Sequence, residues 1–305
     1  MVVMKVGVNE AVELKALEEQ TLIPFADLLR AYALEDFLLR IEGSDYREYL
    51  WLTSDRMLGE AAYRKGGDIA LAFTYHKDKY PPAAELMVAG QELSPALAEQ
   101  MMKDVLMVEN KRGILWEGRV FGMPGAVTIE LRADYKDMQI PLTVEIRQME
   151  ITNQRSETKS LAALTVPGAE IVYRVYSCEN QVSSDLFGIL EKLELIGDMG
   201  AYYRVYQTLR TQPLSARYLI EELEAFAGHK PKVRQERRIV QLAGYRDYTY
   251  MRKRWEQYVK RQQVPEVPWE EALDLILALA EPIWKSFCSG EVFLADWMPE
   301  LERFM

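Results

Sequence analysis

The hydrophobic pattern of this 305-residue chain changes period once, and that change limits the folds open to it. Up to about residue 156, short apolar runs with a repeat of two are interspersed with helical patterns. Beyond it, after one more short run at EIVYRVYS, almost every pattern repeats at 3.6. Repeats of two build sheet and repeats of 3.6 build helix, so a layered half should precede a bundle-like half. The simplest division is a mixed α/β (α+β) domain over residues 1–156 and a mainly helical domain over residues 157–305.

The clearest strand is IPLTVEIRQMEI, residues 140–151. Leu142, Val144 and Ile146 share one face, and Thr143, Glu145 and Arg147 share the other. One face suits a core and the other can meet a ligand. Extended segments are also expected at EYLWLTS, DIALAFTY, GILWEGRVFG and AVTIELRA. Helices are expected at TLIPFADLLRAYALEDFLLRI, at DRMLGEAAY and from Ser94 to Glu109. Pro24 falls early in the first of these, where a helix tolerates a missing N–H. In the second half the helical patterns run over Asp185–Ile196, Ala201–Leu209, Ser215–Phe226, Tyr245–Gln262 and Trp269–Phe287.

Some function classes have little raw material. Lys5, Glu10, Glu13 and Lys15 interrupt the apolar residues of the N-terminal stretch, and no apolar run approaches ~18 residues, so neither a secretory leader nor a membrane span is expected. The expectation is a cytoplasmic protein. Cys178 and Cys288 lie far apart with no partner spacing, and His76 and His229 are the only histidines, which leaves little for a zinc site or a histidine-based triad.

Charge is uneven. The net charge is −10, yet residues 230–262 hold eleven Lys and Arg against three acids, a local +8 that leaves −18 for the rest. Tyr245, Tyr248, Tyr250, Trp255 and Tyr258 are interleaved with these cations. Such a segment either stacks on and neutralises RNA, or forms an amphipathic helix with aromatics inward and a solvated basic face.

The stretch YRKGGDIALAF, residues 63–73, raises a chemical question. Nucleotidyl transfer needs divalent cations held by carboxylates, because Mg2+ must bridge a triphosphate and stabilise charge on attacking and leaving oxygens. A common arrangement is Asp-x-Asp on one strand, both acids on one face, with a third carboxylate on a neighbouring strand. Asp68 stands at the first position, Ala70 at the second, and Glu145 is the candidate third. Arg64 or Lys65 could meet phosphate, and the two glycines would let it approach. The same stretch is also similar to the Gly-Gly-Asp/Glu-Glu-Phe signature of diguanylate cyclases, but the second acid, the aromatic and the flanking segments do not fit.

The order of elements and several residues together resemble the AbiEii/AbiGii toxin-type nucleotidyltransferase family. EDFLLRIEGSDYREYLWLTSDRML precedes YRKGGDIALAF with similar spacing, and IPLTVEIRQMEI resembles the strand bearing the third carboxylate. ILEKLELIGDMGAYYRVYQTL is similar to the family's Glu-Lys-Leu helix and the aromatic segment after it. WEQYVKRQQVPEVPWEEALDLILALAEPI resembles the end of its helical domain, so the likeness spans roughly residues 22–287. It implies a nucleotidyltransferase-like mixed sheet with flanking helices, followed by the helical domain. It further implies transfer of a nucleoside monophosphate from an NTP to an acceptor such as RNA or a protein, and an antitoxin as partner. Mg2+ would be held by Asp68 and Glu145, with Ser54, Arg64, Lys65 and Lys192 at the nucleotide.

The departures fall on the chemistry. Thr53, Ser54 and Asp55 stand where Lys-Gly-Gly/Ser is expected, and an acid beside a triphosphate is repulsive unless metal-bound. Gly66 replaces a Thr, Ala70 and Glu145 each replace an Asp, and Ala201 and Arg204 replace the two acids of the later motif. The expectation is therefore weak or absent transferase activity; the alternative is a non-catalytic module that binds a nucleotide, an RNA or a protein.

Overall fold

In this computed structural model the described residues are 8–55, 58, 69–75, 92–109, 112, 114–135, 138–148, 155–165, 168–262 and 264–305. Arg64, Lys65 and Asp68, and most of the expected helix in DRMLGEAAY, lie outside them. The chain divides into two compact units, Met1–Thr152 with Ser156–Tyr176, and Asn153–Arg155 with Ser177–Met305.

The first unit is built on a seven-stranded sheet. Its strands are β1 (Leu50–Leu52), β2 (Ile69–Tyr75), β3 (Leu115–Met123), β4 (Ala126–Tyr135), β5 (Met138–Gln148), β6 (Ser156–Ala162) and β7 (Glu170–Tyr176), in the order β3-β4-β5-β2-β1-β7-β6. β2 runs parallel to β5 and β1 parallel to β7, while the remaining neighbours are antiparallel. The sheet is therefore mixed. Among the described residues its helices are α1 (Val8–Thr21), α2 (Phe25–Glu42) and α3 (Pro95–Met107).

One sheet face is the core. Leu71 and Phe73, Leu142, Val144 and Ile146, and Val127, Ile129 and Leu131 are buried with Leu34, Phe37 and Leu38 of α2 and Ala98, Met101 and Val105 of α3. The period-two expectation for β5 holds residue by residue, since Val144 and Ile146 are fully buried while Glu145 and Arg147 are exposed.

Helix α2 is buried nearly all round from Leu28 to Ile41, including the charged Glu35, Asp36 and Arg40. Asp36 accepts from Arg40 Nε at 2.8 Å and Trp116 Nε1 at 2.6 Å. Arg40 donates to the carbonyls of Leu106, Val108 and Ile114 at 2.6, 2.8 and 3.1 Å, tying α2 to the C-terminal end of α3 and the approach to β3. Glu35 pairs with Arg112 at 2.8 Å and accepts the Leu164 N–H at 3.0 Å. Burial nevertheless pushes the Glu35 carboxyl above its ordinary value.

The expected boundary at residue 156 differs from the observed one. β6 pairs along its whole length with β7, and β7 pairs with β1, so this strand pair completes the first sheet and the unit runs to Tyr176. The sequence SETKSLA hides β6 because an edge strand can remain largely polar.

The second unit holds α4 (Cys178–Lys192), α5 (Gly200–Thr211), α6 (Ala216–His229), α7 (Arg237–Ala243), α8 (Thr249–Gln262) and α9 (Trp269–Ser289). A small sheet joins β8 (Leu214–Ser215), β9 (Asp296–Met298) and β10 (Arg303–Phe304). Ser177 Oγ caps α4 by accepting the Asn180 N–H at 3.2 Å, so this helix starts earlier than its apolar pattern alone indicates. Trp255, Trp269, Trp284 and Trp297 are at most 1% exposed, and each indole N–H has a carbonyl partner, on Val267, Tyr245, Gln235 and Leu209 respectively. Among the described residues no helix is long and apolar enough to cross a membrane.

Candidate functional site

The sequence places Glu145 on β5, Ser54 just after β1 and Asp68 just before the described start of β2, and the register relates these strands. β2 pairs in parallel with β5 from Ile69↔Leu142 to Tyr75↔Gln148, so Ala70 aligns with Thr143 and Ala72 with Glu145. On its other side Glu145 aligns with Thr128 of β4. Alternation places residues 70 and 72 on the Glu145 face of the sheet, opposite the core. That part of β2 brings no carboxylate.

Glu145 itself is open to solvent, and among the described residues its ionic partner is Arg147 at 3.7 Å, a long pair between exposed side chains. Glu130 of β4 aligns with Thr143 and is the diagonal neighbour of Glu145 on the same face. The sequence reasoning passed over Glu130. The signal was available in AVTIELRA, where Thr128, Glu130 and Arg132 alternate with buried Val127, Ile129 and Leu131.

Ser54 follows β1 and is partly exposed. The neighbouring Asp55, unwelcome beside a triphosphate, has its own partners. Lys159 of β6 contacts its carboxylate at 3.1 Å and the Tyr173 hydroxyl of β7 donates to it at 3.4 Å. Burial, with the Asp55 charge added, holds the Tyr173 phenol up at about 12. The acid that departs from the family pattern is thus neutralised within the sheet.

Lys192 is the last residue of α4 in the second unit and is exposed, followed by Leu193 at a positive φ of 52°. Arg204, at a position where the resemblance expects an acid, donates to both Asp185 oxygens at 2.9 and 2.6 Å and to Asp198 at 3.0 Å. A partly exposed clasp between α4 and α5 occupies that position, with Arg204 held protonated more firmly than usual by its two carboxylates.

The second unit also has a cleft of about 530 Å³ lined by Tyr206, Arg210, Arg246, Glu271, Asp274 and Glu302 among others. Its charges are matched internally. Arg246 forks onto Asp274 at 2.9 Å, Arg210 pairs with Glu302, and the Tyr206 hydroxyl donates to Glu271 at 2.9 Å.

A hard cation of the Mg2+ type takes oxygen ligands and commonly one or two carboxylates, with the remainder from substrate phosphate and water. Glu145 fits one such ligand because it is exposed and only loosely paired. Among the described residues no three His, Cys, Asp or Glu side chains gather as a metal-binding group.

No protein-family model matches the chain, and no curated protein sequence matches it. Among solved structures the chain is similar to a Helicobacter pylori protein provisionally called a nucleotidyltransferase, at 12% identity and a TM-score of 0.42, over 87% of this chain and 98% of the other. It is also similar to JHP933 from Helicobacter pylori, at 9% identity and a TM-score of 0.39, over 94% of each chain.

Proposed function

We propose that the chain is a nucleotidyltransferase-like protein related to the AbiEii/AbiGii toxin-type enzymes, weak or inactive as a transferase. The observation that carries this reading is the parallel pairing of β2 with β5, which sets an exposed Glu145 beside the strand that continues from Lys-Gly-Gly-Asp, with alanines at 70 and 72 on the same face. Asp68 and Glu145 would hold Mg2+, whose contribution is to neutralise triphosphate charge. Arg64 and Lys65 would bind phosphate, with Ser54 and Lys192 further nucleotide contacts. The acceptor would be an RNA or a protein. An antitoxin partner and a cytoplasmic setting belong to the same reading.

The missing acid at position 70 has a kinetic consequence. Removing one of three carboxylates should cost several kcal/mol of transition-state stabilisation, on the order of a thousandfold or more in rate. The second reading, a non-catalytic nucleotide-, RNA- or protein-binding module on this fold, is favoured by the same absence of an acid along Ile69–Tyr75.

The test is transfer of label from each NTP to RNA or protein acceptors with Mg2+, run beside equilibrium nucleotide binding. Slow, metal-dependent labelling that disappears in Asp68→Ala and Glu145→Ala supports an enzyme. Nucleotide binding that survives both changes, without labelling, supports the second reading. Neither binding nor labelling sinks both.

A further inference from the structure

The basic segment at 230–262 separates into cations that hold the second unit together and cations that do not. Lys230 pairs with Glu191, Arg234 with Glu224, Arg246 with Asp274 and Arg252 with Glu270. Arg238 donates to the carbonyls of Leu190 and Glu191, near the end of α4, and Arg254 to that of Glu194. Lys253, Lys260 and Arg261 of α8 are exposed and have no carboxylate partner among the described residues.

Helix α8 explains why. Met251, Trp255 and Val259 recur every fourth residue and are buried against the core. The opposite stripe carries Tyr250, Lys253, Gln257 and Lys260, all exposed, with Arg261 alongside. It extends for about 16 Å. At its N-terminal end the tyrosines do not all turn inward. Tyr248 is 44% and Tyr250 50% exposed, with ring centroids 5.8 Å apart; Tyr245 lies 5.7 Å behind Tyr248, and the Arg254 guanidinium lies 5.4 Å from the Tyr250 ring centre. Asp247 and Glu256 are exposed acids of this surface, and at its tyrosine end the exposed Glu194 carboxylate accepts from the Tyr245 hydroxyl.

We infer that this face of α8, with Tyr248 at its head, is a binding surface for single-stranded RNA. Three unpaired cations along one helix stripe match a phosphate backbone, and exposed tyrosine rings beside them give unpaired bases something to stack on. An acidic protein would use the cations but would not need the rings. Gln257 lies between Lys253 and Lys260, where its amide can donate to or accept from a ribose 2′-hydroxyl. The surface belongs wholly to the second unit and does not depend on transferase activity.

The test uses the full chain, a labelled 16-nucleotide single-stranded RNA of mixed sequence, EDTA and no NTP, over a range of salt. The Lys253→Gln/Lys260→Gln/Arg261→Gln variant should lower the slope of log affinity against log salt by about 2, since each lost phosphate contact removes about 0.7. Tyr248→Ala/Tyr250→Ala should weaken binding about tenfold or more with little change in slope. All five positions are exposed, and circular-dichroism melts identical to the parent confirm folding. Unchanged affinity in both variants, absence of RNA binding, or equal affinity for DNA of the same sequence overturns the inference. Because NTP and metal are absent, that failure leaves the transfer experiment unaffected.

Discussion

Glu145 of β5 is aligned with Ala72 of β2 across a parallel strand pair, with Ala70 one step back on the same face. An acid on β2 would therefore stand beside an exposed carboxylate whose ionic contact among the described residues is the long one to Arg147. Ala70→Asp is expected to strengthen Mg2+-dependent NTP binding at least about tenfold, by supplying a second carboxylate for the cation. Calorimetric titration with and without Mg2+ reads this directly; an equal change in the absence of metal would count against Glu145 as a ligand.

Lys159 and Tyr173 both contact the Asp55 carboxylate. Lys159→Met should cost about 1 kcal/mol, in keeping with a partly exposed pair, and lower the melting temperature of the first unit by a few degrees. Asp55→Asn in the same background should add little further, because the charge needing a partner is gone.

The Tyr173 phenol also gives a pH signature. Its folded-state value is about 12, above the ordinary 10, so the folded protein holds this proton more tightly than the unfolded chain. The associated stability is complete below about pH 10 and is lost as pH rises towards 12. Denaturant melts between pH 9 and pH 12, in roughly half-unit steps, should show a shallower alkaline decline in Tyr173→Phe than in the parent.

Arg40→Met removes a buried guanidinium from Asp36 and from three carbonyls at once. An uncompensated buried carboxylate remains, and the expected loss is about 3–5 kcal/mol. Asp36→Asn with Arg40→Met should recover part of it. Urea melts of the parent, the single and the double variant check the sign of that coupling.

The strand face of Glu145 was legible because alternation in β5 is local information. What Glu145 would meet was not, since the alignment with Ala72 comes from pairing between segments distant in sequence. Trp255 turned inward and Tyr248 and Tyr250 outward, and the alternating basic and aromatic residues allow both outcomes until the packed side of α8 is known. β6 was missed because Glu157, Thr158, Lys159 and Ser160 lack an apolar face, while α2 was found without any hint that its acids would be buried. Arg40, four residues from Asp36, is local, but the other groups that meet Glu35 and Asp36, Arg112 and Trp116, lie in a different part of the sequence. Arg64, Lys65 and Asp68 lie outside the described residues.

The placement of the tryptophans has a spectroscopic consequence. Trp51 and Trp116 belong to the first unit, and the other four of the six are buried in the second with every indole N–H bonded to a carbonyl. Intrinsic emission is thus weighted towards the helical unit, so a fluorescence melt will mainly follow that unit. Loss of the seven-stranded sheet will be tracked more faithfully by its far-ultraviolet circular dichroism or by amide exchange along β4 and β5.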